Sequence, residues 1–135
     1  MIDDVGKSRL LKAALEHLEN AYCPYSGIRV AAAVLDNRGR IFAGVNVENA
    51  SYSLTMCAER NAIAAAIVDG ARSIEAVLIT SSIGAIPPCG ACRQVIAEFA
   101  EPEVPIYLAD GDEITAEFTV GGLLPEAFHL PSEDK

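Results

Sequence analysis

The spacing of three cysteines constrains this chain more than any other feature. Cys89 and Cys92 lie within Pro88-Cys89-Gly90-Ala91-Cys92, and Cys57 opens Cys57-Ala58-Glu59 well upstream. Each set follows a loop and begins an apolar run, so both read as helix N-termini. At that spacing Cys89 and Cys92 share one face of a first turn. Pro88 suits a helix start because its missing N–H is not needed there. If all three sulfurs bind one ion, the chain must fold so that two helix N-termini point at a common spot. The exposed N–H groups and positive dipole at such ends favour the thiolate that a metal requires.

Three thiolates on Zn²⁺ leave one vertex open, which distinguishes a catalytic site from a closed structural one. The carboxylate of Glu59 can reach a water in that vertex. The predicted site is therefore one zinc ion on Cys57, Cys89 and Cys92, with Glu59 as general acid and base. Such a site can attack an electron-poor ring carbon and expel an amine. Three thiolates and a dication sum to one negative charge, so Arg60 and Arg93, which follow the two motifs, are expected to lie behind the ligands. At least one should hydrogen-bond their sulfurs and draw charge from them. The blander readings are a redox Cys-x-x-Cys pair or half of a four-ligand zinc knot. A knot needs a fourth ligand, and Cys23, His17 and His129 each stand alone with no paired spacing. Cys23 reads as a packed loop thiol and His17 as a solvent-exposed residue on the first helix. By itself Glu59 could be an ordinary first-turn acid complementing the helix dipole.

Formal net charge is −9 over 135 residues. Binding nucleic acid through its phosphates needs a basic face, so this balance argues against it and favours a small substrate. With 51% hydrophobic residues, most of the chain should be ordered. The length suits one domain, 1–135, burying about two-thirds of its unfolded surface. No apolar run is long enough to span a bilayer. Met1-Ile2-Asp3-Asp4 shows no basic stretch leading into an apolar one. The expected compartment is the cytoplasm, where cysteines serve as thiols or metal ligands rather than disulfides.

Leu10, Leu11, Ala14, Leu15 and Leu18 recur at helical spacing over 6–20. Residues 21–28, with Pro24, Ser26 and Gly27, read as a loop. Strands over 29–35 and 40–47 flank the turn Asp36-Asn37-Arg38-Gly39 and predict an antiparallel hairpin. The Ala-rich run over 57–68 stops at Asp69-Gly70, a helix ending in glycine. Residues 74–81 (IEAVLITS) form a near-continuous apolar strand, as expected in the middle of a sheet covered on both faces. A second helix covers 89–99. Strands over 105–109 and 113–120 are joined by Asp110-Gly111-Asp112, too short for a crossover, so this pair is antiparallel. The order predicts an α/β fold: a mixed five-stranded sheet layered with helices.

Cys-x-Glu followed by Pro-Cys-x-x-Cys is the three-cysteine form of the zinc deaminase signature, whose Glu moves protons without binding the metal. Beyond it, the chain resembles the small homotetrameric cytidine deaminases that act on free nucleosides. The likeness runs through Tyr22-Cys23-Pro24-Tyr25-Ser26, Gly44-Val45-Asn46-Val47-Glu48-Asn49-Ala50, Cys57-Ala58-Glu59-Arg60, Pro88-Cys89-Gly90-Ala91-Cys92-Arg93-Gln94 and Leu123-Leu124-Pro125-Glu126-Ala127-Phe128. It implies a three-layer fold and zinc-dependent deamination of cytidine and 2′-deoxycytidine in pyrimidine salvage, with ammonia released. Asn46 and Glu48 would hydrogen-bond the ribose, and the Ala58 N–H would meet the pyrimidine 2-oxo group. Ala50, Tyr52 and Phe128 would reach a neighbouring subunit's pocket in a homotetramer. Alternation with Val45 and Val47 also places Asn46 and Glu48 on one side of a strand end.

One departure concerns Ile28-Arg29-Val30-Ala31, where the family commonly has an aromatic residue and then Pro-Val-Gly. Ile28 replaces a ring against the base, a contact worth on the order of 1 kcal/mol. The alternative within the same chemistry is a deaminase of a cytosine-bearing antibiotic such as blasticidin S. The Glu48-Asn49 pair favours an ordinary ribose, since antibiotic-acting relatives tend to lack it. Deaminases of polymers tend to insert a crossover helix where this chain has only Asp110–Asp112. A zinc-stabilised binding protein without turnover would need a filled fourth coordination position.

Overall fold

The computed structural model describes residues 2–132. In chain order they form helix α1 (Asp4–His17), strands β1 (Val30–Asp36) and β2 (Ile41–Val45), and helix α2 (Ala58–Val68). Strand β3 (Ile74–Ser81), helix α3 (Gly90–Phe99), strands β4 (Pro105–Asp110) and β5 (Glu113–Thr119), and a short helix α4 (Val120–Leu123) follow. The sheet order is β2-β1-β3-β4-β5. β1 is antiparallel to β2 and β3, β3 and β4 are parallel, and β4 and β5 are antiparallel. The mixed five-stranded sheet is as expected, including its antiparallel last pair.

Alternation sorts the side chains into two cores. On one face Ala31, Ala33, Ala76, Leu78 and Tyr107 meet Leu10 and Ala14 of α1. On the other, Ala32, Val34, Val77, Ile79, Ile106 and Leu108 meet Ala62, Ile63 and Ala66 of α2 and Ile96 of α3. The sheet is thus the middle of three layers, which is why β3 reads as an unbroken apolar run.

The strand directions place the functional end. Since β1 runs opposite to both β2 and β3, those two strands share one direction. Helix α2 follows β2 and α3 follows β3, so both helices begin beyond the carboxyl end of a strand on the same sheet face. That edge is where open α/β sheets form ligand crevices.

Helix α2 lies unusually close to β2. A Cβ on Gly44 would come within 2.3 Å of the Ala62 nitrogen, 2.5 Å of the Ala58 oxygen and 2.9 Å of the Asn61 carbonyl carbon. All three atoms are backbone, so no rotamer change relieves the overlap. Gly44→Ala is expected to destabilise by about 2–3 kcal/mol, read as a lower urea midpoint at unchanged slope. The far end of α2 is held by the β1–β2 turn. Buried Asp36 accepts from the backbone N–H of Arg38 and Arg40 and from Arg38 Nε. Arg38 and Arg40 in turn reach Asp69 at the end of the helix. Burial by itself would raise the Asp36 carboxyl, but those hydrogen bonds together outweigh it and hold the pKa below its ordinary value.

Several boundaries differ from the sequence reading. Helix α1 begins earlier because the Asp3 carboxylate caps it, accepting from Gly6 N at 2.8 Å, and its last predicted residues form a 3₁₀ turn. Another 3₁₀ turn, Tyr52–Leu54, interrupts a stretch with no predicted element. β2 ends at Val45 rather than 47. The Asn46 side chain bonds Val30 N and Ile28 O, and Val47 keeps only isolated bridges to Tyr22 and Met56. Val120, expected at the end of β5, opens α4, capped by the Thr119 hydroxyl that accepts from Gly122 N.

Candidate metal centre and active site

Cys57 and Cys89 occupy the N-cap positions of α2 and α3, and neither side chain caps its helix. A Ser or Asp there would accept from a first-turn N–H. Cysteine leaves the sulfur free and surrounds it with unsatisfied donors. With both helices starting at one sheet edge, the Sγ atoms of Cys57, Cys89 and Cys92 all lie within 4.8 Å of one another. Cys89 and Cys92 are 3.4 Å apart. Among the described residues no other group of three or more His, Cys, Asp or Glu side chains is so arranged. Cys23 is a free, half-buried thiol outside the cluster, and His17 and His129 are exposed.

The donor set fits zinc. Sulfurs at about 2.3 Å from a tetrahedral ion stand about 3.8 Å apart, between the Cys89–Cys92 separation and the outer limit of the cluster. Cys57 is held down to about 5, first by the hydrogen bond from Cys92 and then by the Arg60 guanidinium, against the opposing effect of burial. Cys92 is pushed far up because its interaction with Cys57 and its burial both favour the protonated thiol. Cys57 is therefore predisposed to the thiolate that a dication binds, and metal binding would displace thiol protons from the cluster.

Glu59 sits in the first turn of α2 and is 4% exposed. Burial raises its carboxyl above the usual range, and the neighbouring Cys57 charge adds to the rise. A carboxyl group beside the sulfur cluster, shielded from solvent and with its pKa raised, is suited to taking and giving protons. Ala58, fully buried, places its N–H in the same first turn.

The two arginines differ. Arg60 Nη2 lies 3.7 Å from Cys57 Sγ and 3.0 Å from Thr55 O. Arg93 instead donates to Pro88 O at 2.8 Å and Leu123 O at 3.0 Å. Its bonds clamp the loop before α3 to the C-terminal segment, a role the sequence reading did not give it. Arg60→Gln is expected to speed zinc dissociation by about tenfold or more, and Arg93→Gln far less. A chelator-competition assay with a chromogenic dye measures both. Equal rates for Arg60→Gln and the parent protein would contradict the contact's importance.

Asn46 and Glu48 converge on one loop. Asn46 is 8% exposed. Its Oδ1 accepts from Val30 N and its Nδ2 donates to Ile28 O, each at 2.9 Å, leaving one N–H and one lone pair uncommitted. Glu48 Oε1 accepts from Tyr25 N at 2.9 Å and Ser26 N at 3.1 Å, and Oε2 accepts from the Ser26 hydroxyl. Ile28 is half-buried beside them. Ala50 is exposed, as are Tyr52 and Phe128 at 73% and 67%. Tyr52 packs edge-on against Tyr25, and the Phe128 carbonyl accepts from Gln94 Nε2 at 3.1 Å.

Three contributors escaped the sequence reading. Asn61 Nδ2 donates to Val45 O and fastens α2 to the end of β2. A polar side chain on an otherwise Ala-rich helix was the available signal. Ser26 and Gln94 lay inside motifs already singled out, but their partners are 22 and 34 residues away.

Residues 5–108 match the family model described as the cytidine and deoxycytidylate deaminase zinc-binding region. The chain is 46% identical to the cytidine deaminase of Sporosarcina psychrophila, covering 89% of both sequences. It is 43% identical to that of Halalkalibacterium halodurans, over 92% of this chain and 95% of the relative. The crystal structure of cytidine deaminase from Burkholderia pseudomallei superposes with a TM-score of 0.83 at 42% identity, covering 89% of this chain and 97% of that one. With sulfur donors, buried carboxyl and strand order all present, the chain belongs to the zinc-binding cytidine and deoxycytidylate deaminase family.

Proposed function

We propose that this chain, acting as one domain over 1–135, hydrolyses the exocyclic amine of free cytidine and 2′-deoxycytidine, releasing ammonia and the corresponding uridine. The observation that carries this reading is the set of three gathered sulfurs with the buried Glu59 carboxyl two residues from one of them, close enough to feel the Cys57 charge. Cys57, Cys89 and Cys92 would hold one zinc ion. When bound, the ion supplies Lewis acidity that brings the pKa of a water towards neutrality.

The chain's own groups handle the protons. Glu59 takes one from the attacking water and delivers it to ring N3, which leaves C4 electron-poor. After C–O bond formation at C4, Glu59 carries the second proton from the new hydroxyl to the amino nitrogen. The C–N bond breaks with its electron pair on nitrogen, and ammonia departs. The Ala58 N–H is aimed at the 2-oxo group, and Asn46 and Glu48 at the sugar hydroxyls, with Ile28 against the base.

Solvent-exposed Tyr25, Tyr52, Leu54 and Phe128 support an assembly in which one subunit completes another's pocket. We read this as a homotetramer, with Ala50, Tyr52 and Phe128 crossing between subunits. No described helix is long and apolar enough to cross a membrane. A cytoplasmic salvage role accords with that and with the small substrate. The test is an ultraviolet assay following loss of cytidine, 2′-deoxycytidine and blasticidin S absorbance. The expected result is turnover of both nucleosides and negligible turnover of the antibiotic. Preference for blasticidin S would overturn the substrate assignment while leaving the chemistry intact.

A further inference from the structure

We infer that Ser26 is a positioning residue for sugar recognition: its hydroxyl locks the Glu48 carboxylate and leaves Oε2 as the atom that accepts a hydroxyl from the nucleoside. The inference rests on the reading of Glu48 as a sugar contact. Glu48 Oε1 already receives two backbone N–H groups, from Tyr25 and Ser26, which occupy both its lone pairs. Oε2 receives only the Ser26 O–H, so one lone pair there remains open. The Ser26 oxygen also accepts from Ile28 N at 3.0 Å. That bond fixes where its single proton can point, and the proton goes to Glu48. Ile28 O, from the same loop, and Val30 N, at the start of β1, hold the Asn46 amide. One short stretch of chain thereby sets the rotamers of both polar side chains. Without the hydroxyl, Glu48 would keep its Oε1 anchors but lose the restraint on rotation that aims Oε2.

The Ser26 hydroxyl is also the largest cause of the lowered Glu48 pKa, ahead of the opposing desolvation and the two backbone donors. An acid depressed in this way stays ionised, and so able to accept, to a lower pH than an ordinary glutamate. Removing the hydroxyl moves the titration up.

The experiment compares kcat/KM for cytidine and 2′,3′-dideoxycytidine, which lacks both ring hydroxyls, in the zinc-loaded Ser26→Ala, Ser26→Gly, Ser26→Thr and Glu48→Gln proteins. The ratio of the two values isolates the sugar contact, because Glu59 titration and zinc occupancy cancel. Ser26→Ala and Ser26→Gly should each lower the ratio by about tenfold, the scale of one hydrogen bond to a charged group. Ser26→Thr, which keeps the hydroxyl, should restore it. The ratio in Ser26→Ala should also decline at a higher pH than in the parent. A drop of equal size for both nucleosides would assign Ser26 to loop structure alone and overturn the inference, as would an unchanged ratio. If Glu48→Gln lowers the ratio while Ser26→Ala does not, only the role of Ser26 falls. If Glu48→Gln leaves the ratio unchanged, the sugar reading of Glu48 falls and takes this inference with it.

Discussion

Replacing Glu59 by Gln is expected to lower kcat by about 10⁴-fold, the upper range for a lost acid–base group, while the protein still binds one zinc per chain. Gln matches Glu in shape, so the buried space stays filled. What disappears is a group that can both take and give a proton. Stability should move the other way. Burial raises the folded pKa of Glu59 above its unfolded value, so the ionised carboxylate costs stability at neutral pH. That cost is absent below the unfolded pKa and grows as pH rises through the folded one. The neutral amide removes it, and the melting temperature of Glu59→Gln at pH 7 should equal or exceed that of the parent. Retained turnover in the variant, with zinc bound, would remove Glu59 from the mechanism.

The second large effect concerns the metal. Stripping zinc with a chelator under reducing conditions should abolish turnover and lower the melting temperature together. The site joins the first turns of α2 and α3, so binding energy at the three sulfurs is also folding energy. At free zinc about a thousandfold above its dissociation constant, linkage amounts to about 4 kcal/mol, or roughly 10–15 °C for a chain of this size. Adding zinc back should restore both properties in parallel. A chelated protein that melts lower but keeps its activity would separate the metal from the chemistry.

The parts of this molecule that were legible in the sequence are those governed by local rules. The Cys57 and Cys89 helix starts, the short Asp110–Asp112 connection and the doubly covered β3 each follow from neighbouring residues and a period of two or 3.6. The convergence of the two helix ends was legible too, because a shared ion demanded it. The remainder depended on contacts distant in sequence. Periodicity carried β2 through Val47. The chain in fact leaves the sheet at Asn46, whose amide bonds to a loop 16 to 18 residues away. Arg60 and Arg93 looked equivalent because both follow a cysteine motif. Helix geometry turns one towards Cys57 and the other towards Pro88 and Leu123. Gly44 looked like an ordinary strand glycine until α2 was seen to cross directly over it.

Three sulfurs, from Cys57, Cys89 and Cys92, are expected to bind the zinc ion, with no fourth protein atom in its shell. X-ray absorption at the zinc K-edge of the loaded, substrate-free protein measures this most directly. The predicted shell is three sulfurs at about 2.3 Å and one oxygen at about 2.0 Å. Four sulfurs, or an imidazole nitrogen in place of the oxygen, would contradict it.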